Sequence, residues 1–390
     1  MQDEIVTLAH DTRHTTHDTR HTTHDTRHTT HDTRHTTHDT PIADTQYDIT
    51  GRINHAQSSD EIIHVALAIY DPSGTYSQHA GVVMTSIFEN TTSKVIVHIL
   101  HDDTLTDDNR QRFIRTAEKY SQGLEFHNIA EHNDMISRVP AEFVKNWTIG
   151  ALFRAFVPDM LHDINKIIYL DCDVVVNLDI LELWSINLNG KSVAGVRDNL
   201  SYASSYSIYG TYIRLSGCNN KQYINSGVII MNLDKIRKSG QFSVTFIDWM
   251  LRHLHLFTWG DQSAINSIFR DDIELIDPKF NFYKPGKDIS DCIFHMYFGG
   301  KAWKVFTGQE YQCLYWKLWL SSEWGKNTSL DEMLELLCTL ANSPQVQEHY
   351  HMNSRICLRC VTASIIRRIC NPFRIAAIII KDMYYRFKLR

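Results

Sequence analysis

From Ile62 the chain alternates short apolar runs with stretches of helical period. "IIHVALAIY" (Ile62–Tyr70) is apolar on both faces, the pattern of a strand buried between two layers. "YSQHAGVVMTSIFENT" (Tyr76–Thr91) changes to helical spacing. "KVIVHIL" (Lys94–Leu100) predicts a second strand. "TDDNRQRFIRTAEKY" (Thr106–Tyr120) predicts a helix, with Thr106 as N-cap and acidic residues in its first turn. "LEFHNI" (Leu124–Ile129) is a third strand, "TIGALFRAFVPDML" (Thr148–Leu161) a helix, and "KIIYL" (Lys166–Leu170) a fourth strand. Strand and helix in alternation predict an α/β fold with a mostly parallel sheet covered on both faces.

Such sheets bind ligands beyond the carboxyl ends of their strands. Asp171 and Asp173 stand there, directly after "KIIYL", and the chain resumes apolar at Val174–Val176. In extended backbone, residues two apart point to one side, so the two carboxylates converge while Cys172 faces away. Buried charges need a partner. Two close carboxylates suit a hard divalent cation, Mn²⁺ or Mg²⁺, better than zinc or copper, and such ions bind together with substrate phosphates.

The front of the chain has a different character. From His10 to Thr37 the heptapeptide HDTRHTT repeats four times, and a fifth copy begins before Pro41. No position of the repeat is apolar, so it offers no seam and cannot offset its ordering entropy. Nine histidines lie between His10 and His38, yet nothing fixes a coordination geometry, and the tract reads as a tolerated tail. Residues 1–60 are therefore expected to be a disordered repeat and linker.

Over the 390 residues the formal net charge is −6, which gives no bulk attraction to nucleic acid. The eight cysteines form no compact disulfide framework. The first ten residues lack the basic start and apolar core of a signal peptide, and no run reaches membrane-spanning length. The expectation is a cytoplasmic protein with reduced thiols. The last forty residues turn basic, from Arg355 to Arg390, and interleave with "IAAIII" and "MYYRF". That composition predicts a peripheral contact with an anionic membrane surface. Three regions follow: 1–60, an α/β body at 61–308, and a helical, basic region at 309–390.

Several ordered motifs between about Ile62 and Trp303 resemble the bacterial retaining glycosyltransferases of family 8, the group of the lipopolysaccharide galactosyl- and glucosyltransferases and of glycogenin. "HVALAIYDPSGTYSQHAGVVMTSI" is similar to the family's opening strand and nucleoside-holding loop, although the loop is longer here. The resemblance gives Tyr76, with either Asp71 or Ser73, to the nucleoside. "FRAFVPDMLHDINKIIYLDCDVVV" resembles the Arg-containing helix and metal-binding pair. It implies Arg154 near the donor's diphosphate and sugar, Asp171 and Asp173 on Mn²⁺, and Cys172 among the nucleotide-sugar contacts. "VAGVRD", "YINSGVIIMNL" and "WGDQSAIN" resemble the segments that bring Asp198, Asn225, Asp261 and Gln262 to the donor sugar. "IFHMYFGGKAWK" is similar to the segment that supplies the third metal ligand, His295, with Gly299 and Lys301 at the diphosphate. Phe298 and Ala302 replace its usual glycine and proline.

The resemblance implies a GT-A type fold and metal-dependent transfer of a hexose from UDP-glucose or UDP-galactose, with retention. The acceptor would be a saccharide or glycolipid, as in lipopolysaccharide or other cell-surface glycan synthesis. Asp198, Asp261 and Gln262 would stabilise the positive charge that develops at the anomeric carbon. Two alternatives remain open. A sugar-1-phosphate nucleotidyltransferase would need a Gly-rich basic loop after the first strand, and "YDPSGTYS" has one glycine and no basic residue. A non-enzymatic metal-binding protein would place the function in the histidine repeat.

Overall fold

Nine strands stand among the described residues: β1 (Ile63–Ile69), β2 (Val95–His101), β3 (Gly123–Asn128), β4 (Lys166–Leu170), β5 (Val174–Asn177), β6 (Val193–Arg197), β7 (Ile224–Asn232), β8 (Ile273–Leu275) and β9 (Cys292–His295). The structure is a computed structural model. It describes residues 61–140, 148–198, 207–254, 260–284, 286–296 and 300–342, all within the unit Ser58–Arg390. The histidine repeat, the basic C-terminal stretch and Gly299 lie outside the described residues.

Seven strands form one sheet in the order β3-β2-β1-β4-β7-β6-β8. β1 pairs in parallel with β2 and β4, and β2 with β3. β7 enters antiparallel between β4 and β6, and β8 runs parallel to β6. The sheet is thus mostly parallel, as predicted. The reversal at β7 has no signal in the sequence, because an apolar strand buried on both faces looks alike in either direction. The two faces of the sheet carry separate apolar clusters. One contains Leu67, Ile99, Phe113 and Leu170, the other Ala66, Tyr169, Ile229 and Phe246.

The predicted elements fall within a residue or two of the observed ones. Thr106 caps the helix Asp107–Lys119 by accepting the backbone N–H of Asn109. The expected helix Thr148–Leu161 is instead broken into Gly150–Phe153, a 3-10 turn at Arg154–Phe156, and Val157–Met160. Pro158 accounts for the break. It has no N–H to give the carbonyl of Arg154 four residues earlier, and its ring would meet that carbonyl. The tightened turn begins at Arg154, which is buried.

β5 leaves the main sheet and pairs antiparallel with β9, with Val174 opposite His295. The backbone N–H of Met296 donates to the carbonyl of Asp173 at 2.9 Å. This short ladder joins segments more than a hundred residues apart. The aromatic stretch after Gly308 forms the helix Glu310–Ser321, which packs on the helix Ser77–Asn90. Trp319 Nε1 donates to Gln78 and Trp324 Nε1 to Asn109. Gly81 makes room for this contact, since a methyl there would run into the Trp324 ring. The helix Leu330–Ala341 follows behind a capping box of Ser329 and Glu332.

Candidate active site

The carboxyl end of β4 opens into a cavity of about 510 Å³, a size that suits a small organic ligand. Asp171, Asp173 and His295 line it, with Arg154, Asn225, Gln262 and Lys301. Residues from five distant stretches therefore meet at one sheet edge.

The charges are paired inside the site. Arg154 is buried and donates Nη2 to Asp171 at 2.7 Å and Nη1 to the Ser226 carbonyl at 2.7 Å. Its Nε lies 3.3 Å from Asp261, and the guanidinium sits over the Tyr169 ring. Burial works to lower the Arg154 pKa, but Asp171 and Asp261 outweigh it and hold the group charged. Burial pushes the Asp261 carboxyl up, against the pull of Arg154. Lys301 Nζ pairs with Oδ2 of Asp173. Burial brings Lys301 down to about 8, opposed by Asp171.

A chain of side-chain amides fixes the state of His295. Asp198 can only accept, so Asn225 turns its NH₂ to it at 3.2 Å. Asn225 Oδ1 then accepts from the Gly227 N–H and from Asn281 Nδ2, each at 2.9 Å. Asn281 is left to face His295 Nδ1 with its oxygen, at 2.9 Å. His295 therefore carries its proton on Nδ1. Its Nε2 presents a lone pair to Asp173 Oδ1, 3.2 Å away. Burial lowers the His295 pKa, so the ring is neutral at pH 7 and two acceptors face each other.

A shared cation would resolve that contact. Neighbouring ligands of an octahedral ion at about 2.1 Å are roughly 3.0 Å apart. Ligand atoms of Asp171, Asp173 and His295 all lie within 4.8 Å of one another. The donor set of two carboxylates and one imidazole, with an Nδ1–H held by an amide oxygen, fits a divalent metal. Gly227 provides the room: a methyl there would clash with His295 Cε1 and sit 2.9 Å from Asp171 Oδ2.

Other predicted site residues stand further back. Asp71 does not line the cavity. Its carboxylate accepts the N–H groups of Tyr76 and Ser77, both at 2.8 Å, and the Ser77 hydroxyl at 2.7 Å. Burial acts to raise its pKa, and these hydrogen bonds outweigh it, so the group is held ionised. It organises the long loop, while Tyr70 and Tyr76 form the wall. Ser73 also stays off the cavity and bonds to Asp71. Asp198 is buried and does not line the cavity, and its Oδ2 lies 3.4 Å from Gln262 Nε2. Cys172 turns its thiol into the core toward the Ala68 carbonyl, so only its backbone is left to meet a ligand. Asn281, Gly227, Ser226 and Tyr70 were not singled out as site residues in the sequence. Asn281 sits in "KFNFY" without a spacing signal, whereas "INSGV" did draw attention to the neighbourhood of Gly227.

The family model described as Glycosyl transferase family 8 matches residues 67–302. The chain belongs to this family. It is 28% identical over 240 residues to General stress protein A of Bacillus subtilis, covering 57% of this chain and 74% of that protein. It is 25% identical over 238 residues to lipopolysaccharide 1,3-galactosyltransferase of Salmonella typhimurium, covering 58% of this chain and 66% of that one. Against glycosyltransferase GlyB of Streptococcus pneumoniae it spans 43% of the relative's length, so sizeable parts of several relatives have no counterpart in the match. Among solved structures, galactosyltransferase LgtC in complex with donor and acceptor sugar analogs superposes with a TM-score of 0.58 at 17% identity, over 70% of this chain and all of that one. That likeness confirms the GT-A fold of this family 8 chain.

Proposed function

We propose that this family 8 protein transfers glucose or galactose from a UDP-sugar to a saccharide or glycolipid acceptor, with retention and with Mn²⁺. The observation that carries the reading is the Asp171–Asp173–His295 cluster, with Lys301 beside it, inside a cavity that also holds Asn225, Asp261 and Gln262. A divalent ion held by the first three supplies Lewis-acid neutralisation of the donor's diphosphate.

The chain's own residues do the remainder. Tyr70 and Tyr76 offer a flat wall to the nucleoside. Lys301 contributes a positive charge where UDP gains negative charge as it leaves. Arg154 orients the carboxylates of Asp171 and Asp261 through its ion pairs. The acceptor hydroxyl forms a bond to the anomeric carbon as the bond to the β-phosphate oxygen breaks. Gln262 has no charge and is a poor nucleophile, so attack comes from the same face as departure. The acceptor proton passes to the leaving phosphate oxygen. The basic, apolar-interleaved stretch of the last forty residues suits a glycolipid acceptor at an anionic membrane surface, in cell-surface glycan synthesis.

The test is a hydrolysis screen over UDP-sugars with and without Mn²⁺. The reading expects metal-dependent UDP release from UDP-glucose or UDP-galactose. No release from any UDP-sugar would overturn it.

A further inference from the structure

A second constellation of ligands lies away from the cavity, on β2 and the edge strand β3. His98 faces Glu125 across the parallel ladder, and His127 follows Glu125 by two residues on the same side of β3. His98 Nδ1 is 3.0 Å from His127 Nε2 and 3.3 Å from Glu125 Oε2. His127 Nε2 is 3.6 Å from that same carboxylate oxygen. These three separations form a triangle of three potential ligand atoms. A tetrahedral ion with bonds of about 2.0–2.1 Å has neighbouring ligands roughly 3.3 Å apart.

Hydrogen bonding alone accounts for this triangle poorly. A single Nδ1 proton on His98 serves two of the three contacts, and the third remains acceptor against acceptor. A divalent cation at the centre serves all three. The arrangement behind His98 agrees with that. His64 Nδ1 lies 2.9 Å from His98 Nε2, so His98 can donate its Nε2–H to His64 and turn the Nδ1 lone pair to the ion. Metal-bound histidines are commonly oriented in this way by a partner on the other ring nitrogen. Burial lowers the pKa of His64, His98 and His127, which leaves the imidazoles neutral, as ligation requires. His98 is fully buried, whereas the Glu125 side chain is 53% exposed, so a fourth position opens to water.

We propose that His98, His127 and Glu125 bind a zinc ion that ties the edge strand β3 to β2, with His64 orienting His98. Two imidazoles and one carboxylate in tetrahedral reach favour Zn²⁺ over the hard ion of the cavity. The site is separate from the donor machinery and rests on strands described from end to end.

The experiment is thermal unfolding of the full chain with and without Zn²⁺, on the wild type and on Asp173→Asn, His127→Ala and Glu125→Gln. Asp173→Asn removes a ligand of the other cluster. Zinc taken up by the histidine repeat is common to all four proteins. At a hundredfold excess over Kd, the wild type and Asp173→Asn should gain about 4 °C in Tm, while His127→Ala and Glu125→Gln should lose most of that gain. His127 and Glu125 are the less buried members, so these variants should fold, and their zinc-free Tm reports that directly. No zinc-induced rise in the wild type, or an equal rise in His127→Ala and Glu125→Gln, would overturn the assignment.

Discussion

The side-chain oxygen of Asn281 lies 2.9 Å from Nδ1 of His295. That contact leaves Nε2 of the imidazole as a lone pair aimed at Asp173. Asn281 touches neither Asp171 nor Asp173 through any hydrogen bond of the described structure, so its effect passes through His295. Replacing Asn281 by Ala should weaken metal affinity about 10–100-fold. The Mn²⁺ concentration for half-maximal UDP release should rise by that factor, while the rate at saturating Mn²⁺ changes less. A metal titration of UDP release separates the two effects, and an unchanged midpoint would remove Asn281 from the account.

Gly227 is required by space and not by backbone freedom. Its added methyl would press on His295 and Asp171. Gly227→Ala should leave the fold standing, because the neighbouring ladder of β7 with β4 is unaffected. Turnover should fall about 10²-fold, the usual scale for a misplacement near 1 Å at a reacting centre. Circular dichroism together with UDP-release kinetics checks both halves.

Among the described residues, Arg154 is the one cation that pairs with both Asp171 and Asp261. Removing it leaves carboxylates without their counter-charge in a buried place. Arg154→Met should destabilise the protein by about 3–5 kcal/mol in chemical denaturation. Arg154→Lys should recover little, because one ammonium cannot replace the fork that reaches Asp171, Asp261 and the Ser226 carbonyl together. Full stability in Arg154→Lys would contradict this geometry.

His79 gives a pH dependence outside the metal cluster. Its Nδ1 is 2.6 Å from the Tyr315 hydroxyl, and its ring stacks on Trp303 at 3.6 Å. Burial, assisted by Lys301, brings its pKa down from 6.5 to about 3. Above pH 6.5 the ring is neutral whether the chain is folded or unfolded, and nothing is lost. Below that, the unfolded chain takes up a proton that the folded one refuses, so stability falls as pH drops from 6.5 toward 3. The slope is about 1.4 kcal/mol per pH unit for one group. Denaturation of the wild type and of His79→Gln at pH 7, 6 and 5 should show the gap between them narrowing toward acid. A constant gap would mean the ring is protonated in the folded protein.

How much of this was legible beforehand depends on the range of the interaction. Strands such as Lys166–Leu170 and the cap at Thr106 are local features, and periodicity with side-chain chemistry defines them. The acidic pair announced itself by interrupting an apolar run. His295 could be linked to it only through resemblance, since the β5–β9 ladder that joins them spans more than a hundred residues. Asn281 had no such aid. Its role depends on which way two amides turn, Asn225 and Asn281 itself, and that follows from Asp198 at the far end of the chain of bonds. Asp71 shows the opposite case. Resemblance offered it, or Ser73, for a nucleoside contact, and the longer loop brings N–H and O–H donors to both its oxygens. The break before Pro158 was legible in principle from the proline alone.

The most direct test measures UDP release from UDP-glucose and UDP-galactose by the wild type and by Asp173→Asn, each titrated with Mn²⁺ after chelation. The account predicts release that requires Mn²⁺ in the wild type and is lost by at least about 10²-fold in Asp173→Asn. Release of equal rate in the chelated wild type, or in Asp173→Asn, would contradict the claim that Asp171, Asp173 and His295 hold the ion on which the reaction depends.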